Sequence, residues 1–175
     1  MPGRGTNLVT FHEAGTTELP FADNSLDRVQ AIECIFCFPS REAFLREALR
    51  VLKPGGMLVV SDFLEARPPR LLRRQKEVLD QAIFRWLGST SIITESEYHQ
   101  IAGKVGFERL LIRDITRNTL PTYPSRVAMF KSTSLSMRFL APRILTVRLL
   151  ELAARLNFLC YAVLTFKKGV GSALA

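Results

Sequence analysis

Two carboxylates stand where a strand could hold them and still let them meet a ligand. Asp62 follows the apolar run Met57-Leu58-Val59-Val60 and Ser61, and Glu33 lies inside the run V-Q-A-I-E-C-I that begins at Val29. As a strand, the first run delivers Ser61 and Asp62 to its carboxyl end, where open α/β sheets bind ligands. A carboxylate so placed can act as a general base if it comes within hydrogen-bond reach of the proton. Other reactive types are sparse. Cys34-Ile35-Phe36-Cys37 has C-x-x-C spacing, but it lacks a second pair for a metal and its neighbours are apolar. Buried, inert thiols are therefore the expectation. His12 flanks a strand candidate and His99 falls on the exposed side of a helix, both as structural or surface groups, so no metal site is expected.

The stretch ahead of Asp62 must position it. Ser40 is a candidate N-cap with Glu42 in the first turn, and Phe44, Leu45, Ala48, Leu49 and Leu52 recur at helical spacing. Pro54 cannot continue that helix, and Gly55-Gly56 permits a tight reversal. Residues 57–60 then read as a buried strand covered on both faces. Upstream, residues 8–12 (LVTFH) are a strand candidate, residues 13–17 a loop, residues 19–25 a turn-rich connection, and residues 29–35 a second buried strand. Downstream, Pro68-Pro69 opens a long amphipathic helix whose stripe uses Leu72, Val78, Leu79 and Trp86, closed by Gly88. Thr94-Glu95-Ser96-Glu97 matches a capping box before a helix carrying Tyr98, Ile101, Ala102 and Val105, stopped at Gly106. Residues 107–115 and 161–166 read as strands, residues 120–125 as a Pro-containing linker. Strands alternating with helices predict a mostly parallel α/β domain.

Composition agrees with one domain. The chain has 175 residues, 47% of them hydrophobic and 23% charged, enough for a sizeable core. Its net charge of +8 is spread along the chain, and the basic clusters at 67–76 and Lys167-Lys168 lack the interleaved aromatics of a single-strand binder. Nucleic acid is not an expected partner. Three cysteines do not form a disulfide framework, which predicts a reducing, cytoplasmic setting. Residues 129–159 mix apolar clusters with Arg138, Arg143, Arg148, Glu151 and Arg155, too many charges for a membrane span. The alternatives are an amphipathic cap over an apolar pocket, an interfacial helix making peripheral contact with an anionic membrane, and an ordinary core-facing helix pair.

Several of these residues form one ordered run. It comprises Glu18-Leu19-Pro20-Phe21, Asp23-Asn24-Ser25-Leu26-Asp27 with Val29, then Phe44, Arg46-Glu47, Arg50-Val51-Leu52-Lys53-Pro54-Gly55-Gly56 and Ser61-Asp62-Phe63. The run resembles the class I S-adenosylmethionine-dependent methyltransferases, in the branch with ubiquinone/menaquinone, sterol, tocopherol and antibiotic-sugar enzymes. It covers residues 8–115, and the closing strand with Lys167-Lys168 also fits. The resemblance implies a partial Rossmann-like fold: a mostly parallel sheet with an antiparallel last strand and an apolar helical cap before it. The domain would span residues 8–168, with the cap at 129–159, a flexible 1–7 and a tail at 169–175.

The resemblance also implies S-adenosylmethionine as cofactor. The family's glycine-rich loop and the acidic residue for the ribose precede the point where this chain starts. A chain beginning mid-domain is expected, with the 29–35 strand left as an open apolar edge prone to self-association. Gly15 and Thr16 fall where relatives carry an Asp-Ala pair at the adenine, so a backbone amide remains but the side-chain acceptor is gone. Ile32 and Glu33 fall at the cofactor's methionine end; a strand-end residue facing water is the alternative for Glu33. Asp62 is the candidate catalytic carboxylate. Phe36 and Cys37 stand on the substrate side, where some relatives have histidines. Methyl transfer from a sulfonium is an in-line displacement, helped chiefly by alignment and exclusion of water. The expected function is methyl transfer to a small, lipophilic molecule; the alternative is an inactive methyltransferase-like fragment acting as an interaction module.

Overall fold

Ser40 begins the first long helix as its N-cap, its hydroxyl accepting the Ala43 N–H at 3.1 Å. In a computed structural model, which describes residues 8–66 and 92–170, that helix is α1 (Arg41–Val51). Its Phe44, Leu45, Ala48 and Leu49 are buried against the sheet. Each fully buried leucine there contributes about 1.5–3 kcal/mol. The helix expected within residues 68–88 lies outside the described residues.

The sheet contains β1 (Leu26–Ala31), β2 (Leu52–Glu65), β3 (Ile93–Thr94), β4 (Phe107–Asp114) and β5 (Leu159–Lys168). Its order is β1-β2-β5-β4, with β3 paired to the end of β2. β1 and β3 run parallel to β2, while β5 is antiparallel to both β2 and β4. Only β5 therefore opposes the rest, as the family pattern implies. Helix α2 (Glu95–Val105) starts at the expected capping box, with Thr94 and Glu97 bonded reciprocally, and ends at Gly106 with φ 109°. After β4 come α3 (Thr116–Thr119), α4 (Thr122–Lys131) and α5 (Met137–Arg155).

The motif run closes on itself in space. Arg50 of α1 donates to the carbonyls of Phe21 (2.9 Å) and Leu19 (3.1 Å), and to the carboxylates of Asp23 (2.5 Å) and Glu47 (2.6 Å). Glu47 in turn accepts the Leu19 N–H at 2.7 Å. One guanidinium and one carboxylate thus pin the connection ahead of β1 to the helix after it. Lys168, at the end of β5, donates to Asn24 Oδ1 and to the carbonyls of Leu49 and Leu52, each at 2.8 Å. These carbonyls are the orphaned acceptors of the α1 C-terminus, satisfied here by a buried ammonium.

Several expectations are corrected. Residues 8–12 form no strand, and Leu8, Val9 and Phe11 are exposed. The strand expected over 29–35 runs instead from Leu26 to Ala31, and Ile35 enters a short 3-10 turn. Asp27, Arg28 and Gln30 face water along it, so the edge is polar rather than apolar. Lys53-Pro54-Gly55-Gly56 is not a reversal but an irregularity within β2, where pairing jumps from Leu26↔Leu52 to Arg28↔Met57. Gly55 has φ 79°, and a Cβ on Gly56 would sit 2.8 Å from the Lys53 carbonyl oxygen. The two faces of β2 are covered unequally: Leu58, Val60, Asp62 and Leu64 are buried, and on the other face Ser61 is buried while Met57, Val59 and Phe63 are half-buried. The linker expected over 120–125 is helical from Thr122, because Pro121 and Pro124 sit at the start of α4, where a missing N–H costs nothing.

Candidate active site

The carboxyl ends of β1 and β2 lie side by side, and the chain leaves β1 through Ile32 and Glu33. Glu33 has φ 57°, a left-handed conformation rarely adopted by a residue with a side chain. Its N–H donates to Ser61 Oγ at 3.0 Å, which holds the bend against β2. The Tyr161 hydroxyl from β5 donates to the same oxygen at 2.8 Å. Burial first, and the nearby Glu33 carboxylate second, push the Tyr161 phenol up to about 12. Tyr161 therefore stays protonated and remains a donor.

These groups form one end of a cavity of about 550 Å³. Phe36, Phe63 and Tyr161 make an aromatic wall, with ring centroids 5.6 Å apart for Phe36–Phe63 and 5.0 Å for Phe63–Tyr161. The opposite wall is helical: α4 contributes Tyr123, Arg126 and Phe130, and α5 contributes Arg143, Val147 and Leu150. Both sets follow helical spacing, so each helix turns one face to the cavity. Burial raises the Tyr123 phenol as well, with the Glu33 and Glu151 charges adding to it. The walls are mostly apolar with a few converging polar groups, which is the make-up of a small-molecule site.

Asp62 is placed elsewhere. It shares the buried face of β2 with Leu58, Val60 and Leu64, is 0% exposed, and does not line the cavity. Arg41 Nε lies 2.9 Å from its Oδ2, and the Phe63 N–H donates to its Oδ1 at 2.8 Å. Burial pushes its carboxyl up, against the opposing pull of Arg41. The remaining predicted residues divide. Glu33 and Phe36 meet in the cavity; Ile32 stands exposed beside them. Gly15 and Thr16 form a tight turn closed by the Glu18 N–H on the Gly15 carbonyl at 3.3 Å, and nothing lies within 4 Å of a Cβ placed on Gly15. Cys37 is exposed rather than buried, while Cys34 and Cys160 are half-buried, their thiols raised by desolvation. Among the described residues no group of three or more His, Cys, Asp and Glu could hold a metal ion.

Sequence reading missed Ser61 as the anchor of Glu33, and missed Tyr123, Tyr161 and Arg126 altogether. The signal for α4 was present as Tyr123, Val127 and Phe130, but the flanking prolines pointed to a linker.

Comparison with known proteins bears on the family and the fold. A methyltransferase domain family (Methyltransf_11) matches residues 2–60. The methyltransferase GfsG of Streptomyces halstedii is 31% identical over 126 residues, covering 70% of this chain and 43% of that protein. The 27-O-demethylrifamycin SV methyltransferase of Amycolatopsis mediterranei is 31% identical over 123 residues, covering 70% and 44%. The chain thus spans less than half the length of these relatives. Among solved structures, a geranyl diphosphate C-methyltransferase from Streptomyces coelicolor superposes with a TM-score of 0.68 at 16% identity, over 90% of this chain and 53% of that one. The [4+2]-cyclase SpnF superposes with a TM-score of 0.69 at 24% identity, over 90% and 56%. At such identities the likeness shows the fold alone. No helix among the described residues is long and apolar enough to cross a membrane. The ordered motif run, the matching domain family, the relatives and the shared fold together support a class I S-adenosylmethionine-dependent methyltransferase.

Proposed function

We propose that the chain supplies the substrate-side half of a methyltransferase site. A small molecule lies in the cavity between the sheet end and α4–α5 and receives a methyl group from S-adenosylmethionine. One observation carries this reading: the cavity opens at the carboxyl ends of parallel β1 and β2, with Glu33 held in a strained conformation at its rim.

The residues present fit the cofactor's methionine end. Ile32 is 54% exposed and Glu33 is exposed, so the end of β1 is free to be covered, and the Glu33 carboxylate suits a cationic amino or sulfonium group. Gly15 and Thr16, in a turn with open space around Gly15, would lie at the adenine. When bound, the cofactor supplies an electrophilic methyl group. The chain's part is to orient the acceptor against Phe36 and Phe63 and to keep water out beneath the helices, while Tyr161 and Ser61 hold the Glu33 bend in place. Asp62 acts through Arg41, fixing α1 on β2, and is a positioning residue. Relatives named for O-methylation support a hydroxyl acceptor, among them the (+)-O-methylkolavelool synthase of Herpetosiphon aurantiacus.

Calorimetric titration with S-adenosylmethionine tests the reading. Saturable binding that Glu33→Ala weakens is expected, and no heat at millimolar cofactor would reject it.

The second reading is an interaction module. The observation favouring it is the segment ahead of β1, where Leu8, Val9 and Phe11 are 86%, 72% and 95% exposed. Light scattering separates the two, since a monomer at all concentrations contradicts self-association. Peripheral membrane contact rests on α5, where Met137, Leu145 and Leu152 are exposed near Arg138 and Arg148. Co-sedimentation with anionic vesicles would test it, and a protein left wholly in the supernatant would reject it.

A further inference from the structure

The cavity is unevenly charged. Its one lining carboxylate among the described residues, Glu33, lies at the sheet end beside Ser61 and Tyr161. The helical side carries two guanidinium groups, Arg126 and Arg143, and neither forms an ion pair among the described residues. Nearby arginines of α5 are already engaged: Arg148 and Arg155 share Glu151, at 2.8 and 2.9 Å. Arg143 is also held in place, since its Nη1 donates to the Phe139 carbonyl one turn earlier at 2.7 Å. That bond uses one of its five N–H groups and leaves the rest of the fork for a ligand. The rings of Phe36, Phe63 and Phe130 line the same cavity.

From this polarity we propose that the cavity takes an amphiphilic anion, a carboxylate or phosphate monoester on an apolar body. The anionic group lies against Arg126 and Arg143 and the body against the phenylalanines, which directs the opposite end to Glu33 and Tyr161. Guanidinium forks match carboxylate and phosphate oxygens in pairs, and a cationic group in the same place would meet two like charges. The inference rests on the methyl-transfer reading for naming this molecule a substrate; the recognition chemistry belongs to the cavity alone.

The test is titration of the full chain, by ligand-detected NMR, with four probes sharing one body: 3-phenylpropionate, 3-phenylpropyl phosphate, 3-phenylpropanol and 3-phenylpropylammonium. At least one anion should bind about tenfold more tightly than the alcohol or the ammonium, and whichever anion wins identifies the group. The double variant Arg126→Gln/Arg143→Gln should bring both anions to the level of the alcohol. Arg138→Gln, on α5 but outside the cavity lining, should change nothing. Both cavity arginines are exposed, so the double variant should keep the wild-type circular dichroism, and Arg126→Lys/Arg143→Lys should retain part of the preference. Equal binding of alcohol and anions, no binding of any probe, or a preference that survives the double glutamine variant would overturn the proposal. If the anion preference holds but S-adenosylmethionine does not bind, the methyl-transfer reading fails and the anion site stands.

Discussion

Arg41 and Asp62 face each other at 2.9 Å with side chains only 5% and 0% exposed, one in the first turn of α1 and the other in β2. Such a pair resists the loss of one member more than the loss of both. Arg41→Ala or Asp62→Ala should each cost about 3–5 kcal/mol, because each strands a buried charge. Arg41→Met/Asp62→Leu should recover most of that. Urea denaturation reads all three, and a double variant as damaged as the singles would contradict the account.

Glu47 gives the fold a pH dependence. The Arg50 guanidinium chiefly, with the Leu19 N–H, holds its carboxyl below the ordinary 4.5. A carboxylate lowered on folding stabilises above its unfolded pKa, and that contribution is lost as pH falls through the folded value. The wild-type urea midpoint should therefore drop more steeply than that of Glu47→Gln as pH falls below about 4.5. Parallel curves would show that the clamp on residues 19–23 is not coupled to this proton.

The Pro-Gly-Gly step in β2 should tolerate substitution unequally. Gly55→Ala meets no neighbour and pays only for its left-handed φ, about 1–2 kcal/mol. Gly56→Ala drives a methyl group to 2.8 Å from backbone oxygen of Lys53 and 3.1 Å from that of Asp27, so the strand itself must shift. It should be the more damaging of the two by thermal melting, and the reverse order would refute the packing argument.

Glu33 links strain to function. Glu33→Gly removes the left-handed cost and should stabilise the chain by about 1 kcal/mol while weakening cofactor binding. Calorimetry and a melting curve on one sample decide it: a variant that binds as before removes Glu33 from the site.

What was legible in the sequence was local. The Ser40 cap, the Thr94 capping box and the Gly106 stop are short-range chemistry, and each stands where the residues placed it. The β-rich residues 8–12 misled because strand propensity is largely packing against neighbours, and here they stand exposed. The side of β2 occupied by Asp62 follows from period-two alternation with Leu58, Val60 and Leu64, which shows only when the strand is extended beyond residue 60. The helical wall of the cavity was hidden because Pro121 and Pro124 read as breakers, although a helix accepts proline in its first turn. The meeting of Glu33, Ser61 and Tyr161 depends on sequence separations of 28 and 100 residues, which no local pattern encodes.

The place of β5 bears on how the protein is made. The last strand synthesised among the described elements is not an edge but sits between β2 and β4, with its closing lysine bonded to residues 116 to 144 positions earlier. On the ribosome, β2 and β4 must wait with open edges until residues 159–168 emerge and zip between them. The nascent chain is therefore most exposed to misassociation between the emergence of β4 and that of β5, when a chaperone that shields strand edges would matter most.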